Sequence, residues 1–350
     1  MKRNFLFIFV LLIFRFVIMA QDADTTSSSK DGQLANKLFN ESVDLFNKHK
    51  FIEAVTMINK AITLKPDFAK AYYNRACIKL QLNSPDEAIM DFDKVIELEP
   101  NAKAYSGRGY AYLQKKDYQK AIGDFSIAVQ QYPDYPEAYY YRGCTNVEQD
   151  KYQQALMDFN KAIELEPDYA SAYNDRGSVK LLMEDYESAK NDFTKAVTFD
   201  PTIACAYDNL GKVHEYIDDL NSALEYYTAA IKIDPDYYIA YNNRGRVKHE
   251  TGDYEGALED YDKAVSIRPD YAYAYNNRGN AKYMMGDLNG AIADFTKAID
   301  IDPDYADAYL NRGITKEMQR DEKGACSDWN KAAELGIIEA RKYVNNQCAD

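Results

Sequence analysis

The sequence predicts an all-α protein, a solenoid of helix-turn-helix repeats. Eight prolines recur at steps of 34 residues, with a single step of 33, and a fixed period near 34 indicates a helical solenoid. Between successive prolines, two amphipathic stretches with the helical period flank a turn signal such as Gly252-Asp253. Alanine occupies the same place in every copy. The prolines are Pro66, Pro100, Pro133, Pro167, Pro201, Pro235, Pro269 and Pro303.

These prolines divide residues 35–339 into nine repeats, and positions are numbered from the first residue of each repeat. The first helix is predicted over positions 1–14 and the second over positions 16–29. The step of 33 residues falls in a loop, where a deletion is tolerated more easily than in a packed helix. The repeats are 35–68, 69–101, 102–135, 136–169, 170–203, 204–237, 238–271, 272–305 and 306–339.

Residues 1–20 are predicted to be a secretory signal peptide, because a basic start precedes an apolar run that ends at Ala20. Arg15 interrupts this run, and an uncleaved N-terminal membrane anchor is the alternative, although the run is short for a span of about 20 residues. Residues 21–34 are polar and are predicted to be a flexible linker. We therefore expect an exported protein, periplasmic or secreted, or else one anchored to a membrane by its N-terminus.

Residues 340–350 are predicted to be a capping helix with a short tail, because the last repeat of a solenoid needs a cover for its apolar face. Cys326 lies on the last second helix and Cys348 on the cap. In an oxidising compartment these two can form a disulfide that holds the cap, and unpaired thiols are the alternative. Cys77 and Cys144 occupy the same position two repeats apart, too far apart to pair, and are predicted to be free, packed thiols.

The composition argues against nucleic-acid binding and against catalysis. The net charge is −14, and an acidic surface repels phosphate backbones. It favours a basic partner, although a solvated acidic surface without a charge-driven partner explains the composition equally well. The three histidines are scattered, and the sequence has no CxxC, HExxH or glycine-rich phosphate loop. We therefore predict no enzyme activity, no metal and no cofactor.

Four positions define the repeat: a small residue at 8, alanine at 20, a large residue at 24, and proline at 32 in all repeats but the last. This frame resembles the tetratricopeptide repeat. The resemblance implies a right-handed superhelix whose concave groove binds peptides or partner proteins, and a scaffold without catalysis of its own. The alternative is a structural subunit of an envelope or secretion assembly, which contacts its partners through the convex face or the edges of the repeats.

The family commonly has leucine at position 7, whereas most repeats of this chain have arginine there. Every repeat with this arginine has aspartate at position 23, and repeats 1 and 6, which lack the arginine, also lack the aspartate. A guanidinium suits bidentate contact with a carboxylate, so an ion pair between the two helices is predicted. Shared recent duplication is the alternative explanation. The pairs are Arg75–Asp91, Arg108–Asp124, Arg142–Asp158, Arg176–Asp192, Arg244–Asp260, Arg278–Asp294 and Arg312–Asp328.

In the family, first-helix positions 2, 5, 6, 9, 12 and 13 face the groove. Asparagine recurs here at positions 5 and 6, and because its amide both donates and accepts, a column of asparagines can pair with an extended peptide of any sequence. Repeats 2 to 4 carry tyrosines, which are common binding anchors. Solvated asparagines and tyrosines that pack between repeats are the alternative. The predicted peptide-binding residues are Asn40, Asn74, Asn174, Asn209, Asn242, Asn243, Asn276, Asn277, Asn311, Tyr73, Tyr110, Tyr140 and Tyr141.

Overall fold

The computed structural model describes residues 30–348, which form helices joined by short turns and contain no strand. The chain divides into two compact units, an N-terminal unit that ends at Asp185 and a C-terminal unit that begins at Tyr186. The predicted signal peptide, residues 1–20, lies outside the described residues. Among the helices of the described residues, none is long and apolar enough to cross a membrane.

The described part of the N-terminal unit consists of α1 to α9. Helix α1 begins at Lys30, so the last residues of the predicted linker are helical. The helices are α1 (Lys30–Asn47), α2 (Phe51–Leu64), α3 (Ala69–Gln81), α4 (Pro85–Leu98), α5 (Ala102–Gln114), α6 (Tyr118–Gln131), α7 (Pro136–Val147), α8 (Tyr152–Leu165) and α9 (Ala170–Leu182).

The C-terminal unit continues the alternation of first and second helices and ends in an additional helix after repeat 9. Its helices are α10 (Tyr186–Phe199), α11 (Ala204–Tyr216), α12 (Leu220–Ile233), α13 (Tyr238–Glu250), α14 (Tyr254–Ile267), α15 (Ala272–Met284), α16 (Leu288–Ile301), α17 (Ala306–Met318), α18 (Glu322–Glu334) and α19 (Ile338–Gln347).

The turn inside each repeat sets the start of the second helix. Position 15 has a positive φ in every repeat, and glycine, which adopts this conformation without steric cost, occupies it as Gly252 and Gly286. Position 16 is often an aspartate that accepts a hydrogen bond from the backbone of position 19, as Asp253 does from the N–H of Gly256 at 3.0 Å. The second helix therefore begins at position 17, one residue later than predicted, because position 16 is its N-cap.

The core of each repeat is formed by the residues that define the repeat. The alanines at position 20 and the large residues at position 24 are all buried. Position 8 lies against the aromatic ring of position 24: a Cβ added to Gly279 would lie 2.7 Å from the ring of Phe295. Glycine at position 8 costs about 1 kcal/mol of helix stability relative to alanine, and this close approach explains why it recurs.

Helix α19 covers the end of the last repeat. The ring of Tyr343 stacks on Trp329 with centroids 4.8 Å apart, and Ala340 is fully buried. Cys326 of α18 and Cys348 at the end of α19 are joined by a disulfide, with Cα atoms 5.6 Å apart. In the N-terminal unit, the thiols predicted to be free and packed are both buried and unpaired.

Candidate functional site

A guanidinium clasp joins the two helices of most repeats. In repeat 7, Nε and Nη2 of Arg244 donate to the two carboxylate oxygens of Asp260 at 2.9 and 2.5 Å. The partners Arg176 and Asp192 belong to the N-terminal and C-terminal units respectively, and their pairing stays a prediction. The structure forms the other predicted pairs, Arg75–Asp91, Arg108–Asp124, Arg142–Asp158, Arg244–Asp260, Arg278–Asp294 and Arg312–Asp328.

Two neighbours reinforce the clasp. A lysine at position 11 also reaches the carboxylate in several repeats, for example Lys282 Nζ at 2.7 Å from Asp294. The guanidinium also lies over the tyrosine at position 4, with distances from Cζ to the ring centroid of 5.2–5.8 Å across the array. Repeat 4 lacks the lysine, and burial raises the pKa of Asp158 although Arg142 and Asn146 lower it.

The third nitrogen of the guanidinium connects one repeat to the preceding one, which the sequence reasoning missed. Nη1 of Arg278 lies 2.7 Å from a carboxylate oxygen of Asp262 in repeat 7. The acceptor is at position 25 in every case and is always polar, a signal readable in the sequence. The acceptors are Asn59, Asp93, Ser126, Asn160, Thr228, Asp262 and Thr296, at 2.6–3.4 Å.

Repeat 6 has a different polar network in place of the clasp. Position 12 of its first helix, Glu215, accepts a hydrogen bond from the hydroxyl of Tyr227 and lies 2.6 Å from Nη2 of Arg246 in repeat 7. Glu215 is only 9% exposed. Its burial raises the pKa of the carboxyl, against the lowering effect of Arg246. This network ties repeat 6 to repeat 7 through the first helices.

The predicted aromatic anchors of the N-terminal unit lie in its interior. Tyr73, Tyr110, Tyr140 and Tyr141 are at most 6% exposed. The ring of Tyr141 contacts those of Tyr110 and Tyr140 at centroid distances of 5.4 and 5.0 Å. This burial contradicts their prediction as exposed binding anchors: tyrosines at positions 5, 6 and 9 of successive first helices pack on one another and leave little ring surface for a ligand.

A buried carboxylate completes this interior. The hydroxyl of Tyr140 donates to Asp175 at 2.7 Å, and the amide of Asn174 donates to its other oxygen at 2.9 Å. No cation contacts Asp175 among the described residues, and burial raises its pKa to about 6. Asn174 and Asn74 are themselves at most 1% exposed, so their side chains also belong to the interior. Asn40 in repeat 1 is partly exposed.

In the C-terminal unit, positions 5 and 6 form a ladder of hydrogen bonds between repeats, which we call the amide ladder. The amide nitrogen at position 6 of one repeat donates to the oxygen at position 5 of the repeat before it. The bonds run from Asn243 to Asp208 at 2.9 Å, from Asn277 to Asn242 at 2.9 Å, and from Asn311 to Asn276 at 3.0 Å. Asp208 also pairs with Lys212 Nζ at 2.7 Å.

Burial separates the ladder asparagines into two groups. Asn242, Asn243 and Asn276 are 4–8% exposed, so they lie in the seam between first helices and not on an open surface, which corrects their prediction as ligand-facing residues. Asn277 and Asn311 are partly exposed. Asn209 in repeat 6 is also partly exposed, and its side-chain oxygen lies 3.5 Å from Lys212 Nζ.

Asn277 and Asn311 are the partly exposed asparagines of the amide ladder. In the described residues, no side-chain hydrogen bond is made to Oδ1 of Asn277 or of Asn311, while each Nδ2 is held by the preceding repeat. These oxygens are therefore acceptors in fixed orientations, one repeat apart. A backbone N–H of an extended segment is the kind of donor they suit.

Models of the tetratricopeptide repeat match most of the array. The chain belongs to the tetratricopeptide repeat family. The matched residues are 73–136, 136–169, 170–203, 204–237, 226–259, 245–286 and 279–319.

Curated relatives resemble only a part of the chain. The Hsp70-Hsp90 organizing protein of Triticum aestivum is 31% identical over 108 residues, which cover 31% of this chain and 19% of that protein. Tetratricopeptide repeat protein 13 of Homo sapiens is 34% identical over 85 residues, 24% of this chain and 10% of that protein. The matched segment thus spans a fifth or less of the length of these relatives.

Solved structures resemble a larger part of the fold. The APC/C hetero-tetramer Cut9-Hcn1 covers 90% of this chain and 76% of its own, with a TM-score of 0.61 and 13% identity. A tetratricopeptide repeat protein from Parabacteroides merdae ATCC 43184 covers 71% of this chain and 99% of its own, with a TM-score of 0.56 and 18% identity. At these identities the likeness concerns the fold alone.

Proposed function

We propose that this protein is a non-enzymatic scaffold that holds an extended peptide, or an extended segment of a partner protein, on the first helices of its C-terminal unit. The observation that carries the proposal is the pair of partly exposed asparagines, Asn277 and Asn311, whose amide nitrogens are bound by the preceding repeat. Their amide nitrogens are already bound, so a ligand meets oriented acceptors and loses little side-chain entropy on binding. Contacts to backbone N–H groups hold a segment whatever its side chains are.

Family membership supports a protein as the partner. The Hsp70-Hsp90 organizing protein, similar to this chain over 108 residues, is named for the two proteins that it organizes. That name does not identify the partner of this chain. The net charge of −14 favours a basic partner over an acidic one through long-range attraction.

We also propose that the protein is exported. The basic start and apolar run of residues 1–20 support this proposal. The disulfide between Cys326 and Cys348 supports it independently, because disulfides persist mainly in oxidising compartments.

Peptide binding to the amide ladder is tested with an array of extended decapeptides of varied sequence. Changing Asn277 and Asn311 together to alanine removes both side-chain oxygens, and we expect about thirtyfold weaker binding of the array peptides, since two lost hydrogen bonds at about 1 kcal/mol each sum to about 2 kcal/mol. Asn289→Ala is the matched control, because Asn289 accepts an inter-repeat bond from Gln319 at 2.8 Å outside the first-helix positions.

Both variants lose bonds between repeats, so the control accounts for general loosening of the array. Binding that falls equally in the control and in the double variant would show that repeat stability, not the side-chain oxygens, determines affinity. Binding that is unchanged in the double variant would exclude the amide ladder as the site.

A structural subunit that binds through its second helices is the second candidate. The observation in its favour is a pair of exposed methionines at position 22, Met90 at 70% and Met157 at 72%. Gly123 occupies the same position in the repeat between them, and a Cβ added to Gly123 would have no atom within 4 Å. Loss of partner binding in Met90→Gln with Met157→Gln, with binding retained in the asparagine double variant, would favour this candidate.

A further inference from the structure

The junction between repeat 9 and the capping helix α19 lacks the arginine bridge that joins most repeats. At those junctions a position-7 arginine donates to a polar residue at position 25 of the preceding repeat. Repeat 9 has Asn330 at position 25, but when the numbering is continued into α19, position 7 is Asn346. Within residues 30–348, no ion pair joins α19 to repeat 9, and the one side-chain polar contact is that of the Cys326 sulfur with the carbonyl oxygen of Gln347 at 3.8 Å.

Apolar packing at this junction involves one side of a short helix. Helix α19 has ten residues, of which Ala340 is the buried one, and helices shorter than about 12–15 residues are marginal by themselves in water. The ring of Tyr343 stacks on Trp329 with centroids 4.8 Å apart, and Tyr343 and Val344 are partly buried against repeat 9. These few contacts have to offset the entropy lost when the whole helix becomes ordered.

The disulfide between Cys326 and Cys348 supplies the missing attachment. It joins α18 to the residue that follows α19 and closes a loop with a sequence separation of 22. A cross-link of this kind stabilises the closed state by restricting the chain when the loop is open. Both cysteines are partly exposed, so a reductant in solution can reach them. The attachment of α19 therefore depends on a bond that can be reduced, unlike the arginine bridges between repeats.

We propose that this disulfide is a redox switch that holds α19 in place and releases it on reduction by a dithiol. One thiolate of the dithiol attacks one sulfur of the disulfide, which forms a mixed disulfide and frees the other cysteine. The second thiolate of the dithiol then displaces the remaining cysteine. Cys326 and Cys348 end as thiols and the reductant as a disulfide, so two electrons and two protons pass from the dithiol to the protein.

Release of α19 uncovers an apolar surface at the end of the array. With α19 in place, Trp329 is 1% exposed and Leu310 is 9% exposed, and both belong to the cluster that the cap covers. The switch keeps this surface covered in an oxidising compartment and opens it where a dithiol reductant acts. It is independent of the peptide binding proposed above, which uses Asn277 and Asn311.

Trp329, the single tryptophan of the chain, reports the state of the cap. The full chain is treated with dithiothreitol until the thiols titrated in denaturant rise from three to five. We expect the emission of Trp329 to shift to longer wavelength. Trypsin should cleave after Arg341 and Lys342 about 100-fold faster, as the chain-entropy model predicts for opening a loop of this length. Cleavage is measured after quenching and full reduction, because an intact disulfide keeps the cleaved fragment attached.

Cys326→Ser combined with Cys348→Ser should reproduce the reduced state without any reductant and should not respond to dithiothreitol. Cys205→Ser is the matched control, because it removes a thiol of the same unit that takes no part in this disulfide. It should respond to dithiothreitol as the unaltered chain does. Circular dichroism should show that helices other than α19 persist after reduction.

Two results would overturn the inference. If emission and cleavage are unchanged although five thiols titrate, apolar packing holds α19 by itself and the disulfide is not a switch. If reduction lowers the helical signal by much more than the ten residues of α19 can account for, the disulfide supports the whole array and not the cap. Peptide binding is measured separately with the array, so its success or failure is distinguishable from both results.

Discussion

The N-terminal and C-terminal units share one repeat but differ on the first-helix positions 5 and 6. In repeat 4 of the N-terminal unit these positions carry two buried tyrosines, Tyr140 and Tyr141, packed ring against ring. In the C-terminal unit they carry the amide ladder, in which Asn277 and Asn311 are partly exposed. The clasp, the alanine at position 20 and the aromatic residue at position 24 are present in both.

This difference shows that the repeat separates two tasks. Positions 7, 8, 20, 23 and 24 hold the helix pair together and are nearly the same in the two units. Positions 5 and 6 lie between neighbouring first helices, and the contact between these helices is made either by aromatic rings or by amide hydrogen bonds. The second solution leaves Asn277 and Asn311 of the C-terminal unit partly exposed.

If the framework is the same in both units, equivalent core deletions should cost the same. Phe159→Ala in repeat 4 and Phe295→Ala in repeat 8 each remove a ring that is at most 1% exposed. We expect each to lower the free energy of unfolding of its own unit by about 4 kcal/mol. Hydrogen exchange of α7–α8 and α15–α16 measures the two losses separately.

A difference of more than about 1.5 kcal/mol between the two variants would break the comparison, because the framework would then be unequal. Leu258→Ala is a useful reference, since this residue packs against the core only in part and should cost less.

Neutralising the buried aspartates Asp175 and Asp208, which lie between first helices, should change the stability of the protein in opposite directions. Asp175 has no cationic partner, and its pKa of about 6 exceeds the ordinary value of 3.8. The folded state therefore keeps this proton at pH values where the unfolded chain has released it, so the contribution of Asp175 to stability is greatest below about pH 4 and is lost as pH rises to about 6. Asp175→Asn should recover up to about 3 kcal/mol at pH 7.

Asp208 is the matched comparison in the C-terminal unit, because it is equally buried but pairs with Lys212. Asp208→Asn should destabilise the protein at pH 7. Urea unfolding at pH 4 and pH 7 measures both effects. If Asp175→Asn differs from the unaltered chain in free energy of unfolding by the same amount at pH 4 and at pH 7, the interpretation of Asp175 is wrong.

The clasp should matter more where a lysine joins it. In repeat 8, Asp294 binds both Arg278 and Lys282, whereas in repeat 3 Asp124 binds Arg108 alone. We expect Asp294→Asn to lower the free energy of unfolding by about 2 kcal/mol, because both Arg278 and Lys282 lose their partner. We expect Asp124→Asn to lower it by about 1 kcal/mol, because only Arg108 does. Thermal melts at low and high salt would check this, and equal losses would show that the lysine contributes nothing.

Much of the fold could be predicted from the sequence, because the strongest signals are repeated. The helix pairs follow from the 34-residue period, and the joint presence or absence of Arg278-type and Asp294-type residues indicated which side chains meet. Contacts between side chains in adjacent repeats were harder to predict. The ladder joins residues 35 apart, such as Asn277 and Asn242, and it depends on how far one helix pair is rotated against the next.

The same rotation explains why the predicted site was too broad. The family's groove positions include residues that lie in the seam when the neighbouring helix is close, so Tyr141 and Asn242 are buried although they share a helix face with exposed residues. The pattern of a single sequence predicts which face of a helix a residue lies on, but not how deeply the neighbouring helix buries it. The polar residue at position 25 was visible in the sequence, but its partner is recognised only once Nη1 of the arginine is placed.

The third nitrogen of the clasp arginine also bears on how such an array changes in length. Every junction between repeats except that between repeats 5 and 6 joins a position-7 arginine to a polar residue at position 25 of the copy before it, and the acceptor varies among Asn, Asp, Ser and Thr. A recombination event that duplicates or removes one whole copy with the position-7 arginine on both sides of the new joint therefore creates a junction that still has a donor and an acceptor. The array can lengthen or shorten by complete copies without any compensating substitution at the new joint.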